Sequence, residues 1–194
     1  MSAPSQDVLL DSNAYFRLGN SIRPLLQRSF GPPPPYSLHV LAELDDEYAS
    51  NFRVRHKFEW VSHAEYRNDR KAKRFELRGE DRTRALNAFS FLLAYADEHE
   101  INLSREDLRA LAVGFVKDIP VITDDSGMIR VADANGIECW STIKLLRVLE
   151  TAGRIDMEKV TEILEYWDYE NDLPMPRGRL RQVFRKHFGA DCPI

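Results

Sequence analysis

The 194-residue chain has only two cysteines, Cys139 and Cys192, and they stand far apart. They form no CxxC pair and no evenly spaced framework. Neither a zinc site built on cysteine nor a disulfide scaffold is expected, and a reducing compartment is the simple reading. The histidines, His39, His56, His63, His99 and His187, show no HExxH or similar spacing, which removes the usual zinc-hydrolase pattern. No apolar run approaches the roughly 20 residues needed to cross a bilayer, so no membrane partner is expected. Met1 to Asp7 has no positive stretch leading into an apolar run. A secretory signal is therefore not expected, and the chain reads as cytoplasmic. A surplus of positive charge is missing too: 27 Lys and Arg against 31 Asp and Glu leave a net charge of −4. That argues against a protein that coats nucleic acid through global charge. It leaves room for an acidic active site beside a separate basic strip.

What is present is ordinary for a folded domain: 43% hydrophobic and 30% charged residues. The length suffices for one domain with a sizeable core. Short apolar runs at residues 8–10, 119–123 and 137–140 read as buried strands, with helix-capping or turn residues after them. The first is followed by a short helix ending near Gly19. Pro32 and its neighbours to Pro35 form a rigid extended connector. From Ser37 the spacing of Leu38, Leu41, Leu44 or Asp45, and Tyr48 predicts a helix, with His39 one turn before Glu43.

Residues 52–84 are densely charged, and Gly79 separates two helices. The second helix carries Phe89, Leu92, Leu93 and Ala96, with Phe89, Phe91 and Tyr95 as core candidates. Ser104 to Asp107 has the form of a capping box opening another helix, striped by Leu108, Leu111, Ala112 and Phe115. Further helices follow Asp125, Ser141 and Asp156, the first two ending near Gly136 and Gly153. An acidic stretch and a basic helix at residues 177–188 complete the chain; no convincing domain boundary precedes them, and the last ~20 residues are the one candidate for a separate lobe. Strands alternating with helices indicate an α/β fold with a central parallel sheet flanked by helices.

Four acids stand out by placement. Asp11 and Asp125 each follow the carboxyl end of a buried apolar strand, where open α/β sheets gather ligands. Asp107 opens the helix before the second of those strands, and Glu43 follows the first helix. Each acid also has a bland role: Asp11 as a helix cap, Glu43 on a solvated face, Asp107 in its capping box, Asp124 and Asp125 in a turn. If Glu43 faces inward, all four share one crevice. Like charges so placed oppose each other's ionisation, and a hard divalent cation such as Mg2+ or Mn2+ relieves the repulsion through oxygen ligands.

The ordered set of segments resembles the PIN-domain family. Val8-Leu9-Leu10-Asp11-Ser12-Asn13 looks like its opening strand and D-[ST]-N motif, and Val121-Ile122-Thr123-Asp124-Asp125 looks like its later strand and T-x-D motif. Between them, LSREDLRALAVGF is similar to the helix carrying the third acid, and Glu43 in HVLAELDDEY matches the second. GIECWSTIKLLRVLETAG resembles the strand and helix that follow in many prokaryotic members. The likeness covers most of residues 8–165. The segment between Glu43 and Asp107 is longer than in small toxin members, and the tail is extra.

The resemblance implies a PIN-like nuclease domain over residues 1–165, with a helical insertion at about 52–100 and a C-terminal helical extension over 166–194. It implies a metal-dependent ribonuclease in which Asp11, Glu43, Asp107 and Asp125 hold Mg2+ or Mn2+. Asp124 would be either a further ligand or a turn residue, and Ser12, Asn13 and Thr123 would orient the acids. The commonest prokaryotic role is a VapC-like toxin of a type II toxin–antitoxin system, with RNA as substrate, an antitoxin as partner and a homodimer as a further assembly. The competing function is a non-catalytic PIN-type nucleic-acid-binding or protein-interaction module. A receiver-like or aspartate-phosphatase reading ranks last, because the chain offers no early aspartate pair and no convincing activating lysine. For RNA capture, Arg67, Arg70, Lys71 and Arg74 lie at spacings that would place them on one helical face.

Overall fold

The computed structural model describes residues 6–194. The stretch Met1 to Asp7, where no secretory signal is expected, lies outside the described residues save for Gln6 and Asp7. Four short strands, β1 (Gln6–Leu10), β2 (Tyr36–His39), β3 (Val121–Ile122) and β4 (Cys139–Trp140), form one sheet in the order β2-β1-β3-β4, and every pairing is parallel. The chain runs from β1 outward to β2, then returns to add β3 on the other side of β1. That reversal leaves a crevice at the carboxyl ends of β1 and β3.

The sheet is buried on both faces. Val8 and Leu10 of β1 join one apolar cluster, and Leu9, between them, joins the other. This is the two-residue alternation of a strand. Helix α1 (Ser12–Leu18) lies on the first face with α8 (Thr142–Thr151), α9 (Met157–Tyr169) and α10 (Arg177–Phe188). The second face is covered by α5 (Glu80–Glu98), α6 (Arg105–Lys117) and α7 (Ser126–Asn135). The expected α/β class with a parallel sheet between helices is what forms. Local chemistry sets the helix starts. Ser104 and Asp107 complete a reciprocal capping box on α6, with both bonds at 3.0 Å. Asp125, Ser141 and Asp156 cap α7, α8 and α9 through their side chains.

Three expectations need correction. The helix expected from Ser37 does not begin there: residues 36–39 form β2, and the helix α2 (Glu43–Ser50) starts later. Backbone bonds from the Gln6 amide to Pro35 and between Phe30 and Tyr36 hold the chain extended as it leaves the proline run. His39 therefore lies on a strand, where its ring nitrogen meets Asp7 at 3.0 Å, and not on the helix of Glu43. The tail is not a separate lobe. Leu180 and Phe184 of α10 are fully buried in the same cluster as β1 and α8, and α9 runs across position 165. Phe91 is not core; it is 55% exposed, while Phe89 and Tyr95 are half-buried.

Between α2 and α5 the chain forms α3 (Phe52–Lys57), a 3-10 turn at Glu59–Ser62 and α4 (Ala64–Ala72). It then runs extended past Arg74, which bridges in parallel to Val40. If α10 is part of the main core, Phe184→Ala should cost about 4 kcal/mol, as large-to-small changes at fully buried aromatics do. Chemical denaturation should show one transition with a lowered midpoint; a transition that stays put would mean that the tail folds apart.

Candidate functional site

Asp11 directly follows β1, and its amide donates to the Ile122 carbonyl of β3 at 3.1 Å. Its side chain is only 6% exposed. The Thr123 hydroxyl, itself fully buried, donates to Asp11 Oδ2 at 3.2 Å and accepts from the Asp125 amide at 3.1 Å. One threonine at the end of β3 thus ties the two acidic turns together. Burial pushes the Asp11 carboxyl up to about 7, and the charges of Asp107 and Glu47 push the same way; Thr123 and the Asn13 backbone oppose them. Asn13 itself is exposed, so its contribution is backbone and not side chain.

Glu47 is the acid that the sequence reading missed. It sits on α2 one turn beyond Glu43. Burial raises its pKa, Ser12 opposes the rise, and Asp107 and Glu106 add to it. Asp107 is raised too, by burial first, with Ser104 opposing and Asp125 and Glu106 adding. Asp11, Glu47, Asp107 and Asp125 are therefore coupled through their charges. Glu43 lies at the edge of this group. It lines a small cleft with Asp11, Ser12 and Glu106, but its carboxylate meets Arg109 at 3.4 Å. With Glu43 in the first position of the helix, the next turn carries Glu47 alongside it, because residues four apart share a face.

Asp124 does not join the acids. Its two oxygens accept from the Thr142 amide at 3.1 Å and the Thr142 hydroxyl at 2.6 Å, and Arg17 stands 3.8 Å away. It ties β3 to the start of α8. Asp125 spends one oxygen on the Met128 amide at 2.8 Å, and Asp107 one on the Ser104 amide at 3.0 Å. The bland capping roles and membership of the acidic group thus coexist.

The cleft beside Asp11 has a volume of about 20 Å³, room for one water-sized species. All of its charged donors are carboxylates, which suits a hard cation. Among the described residues no three His, Cys, Asp or Glu side chains are already gathered as a ligand set. The cleft's oxygen donors and room suit a divalent cation; of the four interacting acids Asp11 alone lines it, with Glu43 and Glu106 beside it. Cys139 is no competitor: burial pushes its thiol up to about 12.

The basic strip is not one face. Arg70 is 3% exposed and turns inward. Its guanidinium meets Asp45 of α2 at 2.8 Å, the Tyr15 hydroxyl at 3.2 Å and the Val61 carbonyl at 3.1 Å. Arg74 lies beyond α4 and grips the other Asp45 oxygen at 3.0 Å. Of the four, Arg67 and Lys71 are the two that project from α4 into solvent. The charge pattern could not show that Arg70 has a buried acceptor set. In the structure it clamps α2, and with it Glu43 and Glu47, to the body of the domain.

No protein-family model matches the chain, and no curated protein matches it. Two solved structures share part of its shape. FitAcB from Neisseria gonorrhoeae superimposes with a TM-score of 0.46 at 13% identity, over 70% of this chain and 97% of that one. VapBC2 from Rickettsia felis, bound to a DNA fragment from their promoter, gives 0.45 at 6% identity, over 70% of this chain and 98% of that one. Likenesses this distant carry no chemistry across, and the site stands on its own geometry.

The raised pKa of Asp11 has a consequence for stability. The folded chain holds this proton up to about pH 7, whereas the unfolded chain releases it near the ordinary value of 3.8. The folded state therefore binds more protons between those values, and stability falls as pH rises through that window. The penalty is complete above pH 7 and is on the order of 4 kcal/mol. Without added metal, the wild-type Tm should be lower at pH 8 than at pH 5.5, and Asp11→Asn should remove most of that difference. Equal pH dependence in the two proteins would show that Asp11 ionises freely.

Proposed function

We propose that the chain is a divalent-metal-dependent nuclease that hydrolyses phosphodiester bonds in RNA. The observation that supports it is a buried carboxyl, Asp11, at the switch point of a parallel sheet, opposed by at least two further acids. Structural carboxylates are buried beside cations or donors; one buried against like charges stores an electrostatic cost that a bound cation offsets. Asp11, Glu47, Asp107 and Asp125 would hold Mg2+ or Mn2+, with Glu43 at the rim. Such a cation, when bound, supplies charge to the scissile phosphate and a water acidic enough to attack it.

The remaining work falls to the chain's own groups. Thr123 fixes the Asp11 carboxylate and, through the Asp125 amide, the turn beside it. Ser12 supports Glu47, and Ser104 holds one Asp107 oxygen. Supports of this kind orient acids around a metal. The likeness of the D-S-N and T-x-D segments to PIN domains agrees with this reading. The toxin role and the antitoxin partner rest on that likeness alone.

Cleavage of single-stranded RNA should require Mg2+ or Mn2+. Asp11→Asn and Glu47→Gln should each lower it by on the order of 100-fold or more. Asp124→Asn should instead lower the Tm while the folded fraction keeps cleaving. Cleavage that persists in EDTA and in Asp11→Asn would overturn the mechanism. Unopposed expression of the wild type should arrest growth and the Asp11→Asn chain should not; equal growth would remove the toxin role and leave the nuclease.

A further inference from the structure

The largest groove described, about 650 Å³, runs between α5, α6 and the extended segment around Arg74. Four arginines line it: Arg74, Arg82, Arg105 and Arg109. Arg74 and Arg109 are paired with Asp45 and Glu43, whereas Arg82 and Arg105 have no acid within salt-bridge distance among the described residues. Phe75 and Phe89 form part of the wall, both half-buried. Leu41 and Glu43 line this groove and the cleft of Asp11 alike, so the two are continuous.

The arginines are spread along the groove. Arg105 and Arg109 occupy the amino-terminal turns of α6, the helix that also carries Glu106 and Asp107. Arg82 is on the first turn of α5, whose neighbour Asp81 meets Lys117 at the far end of α6 at 2.6 Å. The charges therefore extend over roughly 12 Å or more, at ~1.5 Å per helical residue. A run of guanidiniums interleaved with aromatic rings is the surface that tracks a phosphate backbone and stacks bases.

We infer that this groove, and not the α4 strip, seats single-stranded polynucleotide and feeds it to the acidic cleft, a proposal that rests on the nuclease reading for the identity of the cleft. The net charge of −4 makes such local positive charge necessary, because the acids alone repel a phosphodiester. Arg109 bridges the two regions: it neutralises Glu43 at the boundary between groove and cleft.

The test is binding of a short labelled single-stranded RNA to the full chain in EDTA, read by fluorescence anisotropy across a salt series. The double variant Arg82→Ala, Arg105→Ala should bind about 10-fold more weakly, and its log–log salt slope should be shallower by about 1.4, at ~0.7 per phosphate contact. The Arg67→Ala, Lys71→Ala variant should match the wild type. Unchanged affinity and slope in the groove variant would overturn the proposal. So would an acidic amphipathic peptide whose binding needs Arg82 and Arg105 while RNA binding does not, which would give the groove to a protein partner. Hydrolysis of bis(4-nitrophenyl) phosphate by the wild type with Mn2+ and its loss in Asp11→Asn test the cleft separately. Turnover of that small diester with unchanged RNA binding in the groove variant sinks the groove alone. Arginine-dependent RNA binding without turnover sinks the nuclease alone.

Discussion

Burial of the Asp11 carboxylate against other acids is the constraint around which the domain is arranged. Burial first, and then the charges of Asp107 and Glu47, push that carboxyl up to about 7. The surroundings hold it in one orientation without neutralising it: Thr123 donates to it, and no arginine or lysine is paired with it among the described residues. Elsewhere the protein pairs its buried charges. Arg70 meets Asp45, and Asp124 meets Thr142 and Arg17. The contrast separates acids paired with cations or donors that hold the fold together from an acid buried against like charges.

The fold brings these acids together with few residues. The β1–β3 pairing places Asp11 and Thr123 in adjacent strands, and the threonine passes the constraint on to Asp125. The capping box at the start of α6 fixes Asp107. Glu47 depends on a longer chain of contacts, since α2 is held by Asp45 gripping Arg70 and Arg74 from the following segment. The charged insertion is thus partly a clamp on the site and partly, through α5, a wall of the groove beside it. The two regions differ in charge: the cleft is lined by carboxylates and the adjoining groove by four arginines.

The strand-to-acid junctions at Asp11 and Asp125, the capping box at Ser104 and the caps at Ser141 and Asp156 were legible in the sequence. Each depends on neighbours within a few positions, which is the range over which capping chemistry and apolar runs operate. The second acid was not legible. AELDDEY offers Glu43 and Glu47 on the same helical face, and what separates them is a partner distant in the chain: Glu43 meets Arg109 of α6, while the charge of Glu47 acts on Asp11.

By itself the sequence determined the α/β class and the places where strands end in acids. Hydrophobic periodicity and cap preferences are local and survive without tertiary context. Tertiary structure alone decided that Asp124 is a tie to α8, that Arg70 is interior, that α10 belongs to the core, and that Arg82 and Arg105 face the same groove as Arg109. Those outcomes turn on which partner each charge meets across the fold. A guanidinium four residues from another reads the same in sequence whether it faces solvent, a phosphate or a buried aspartate.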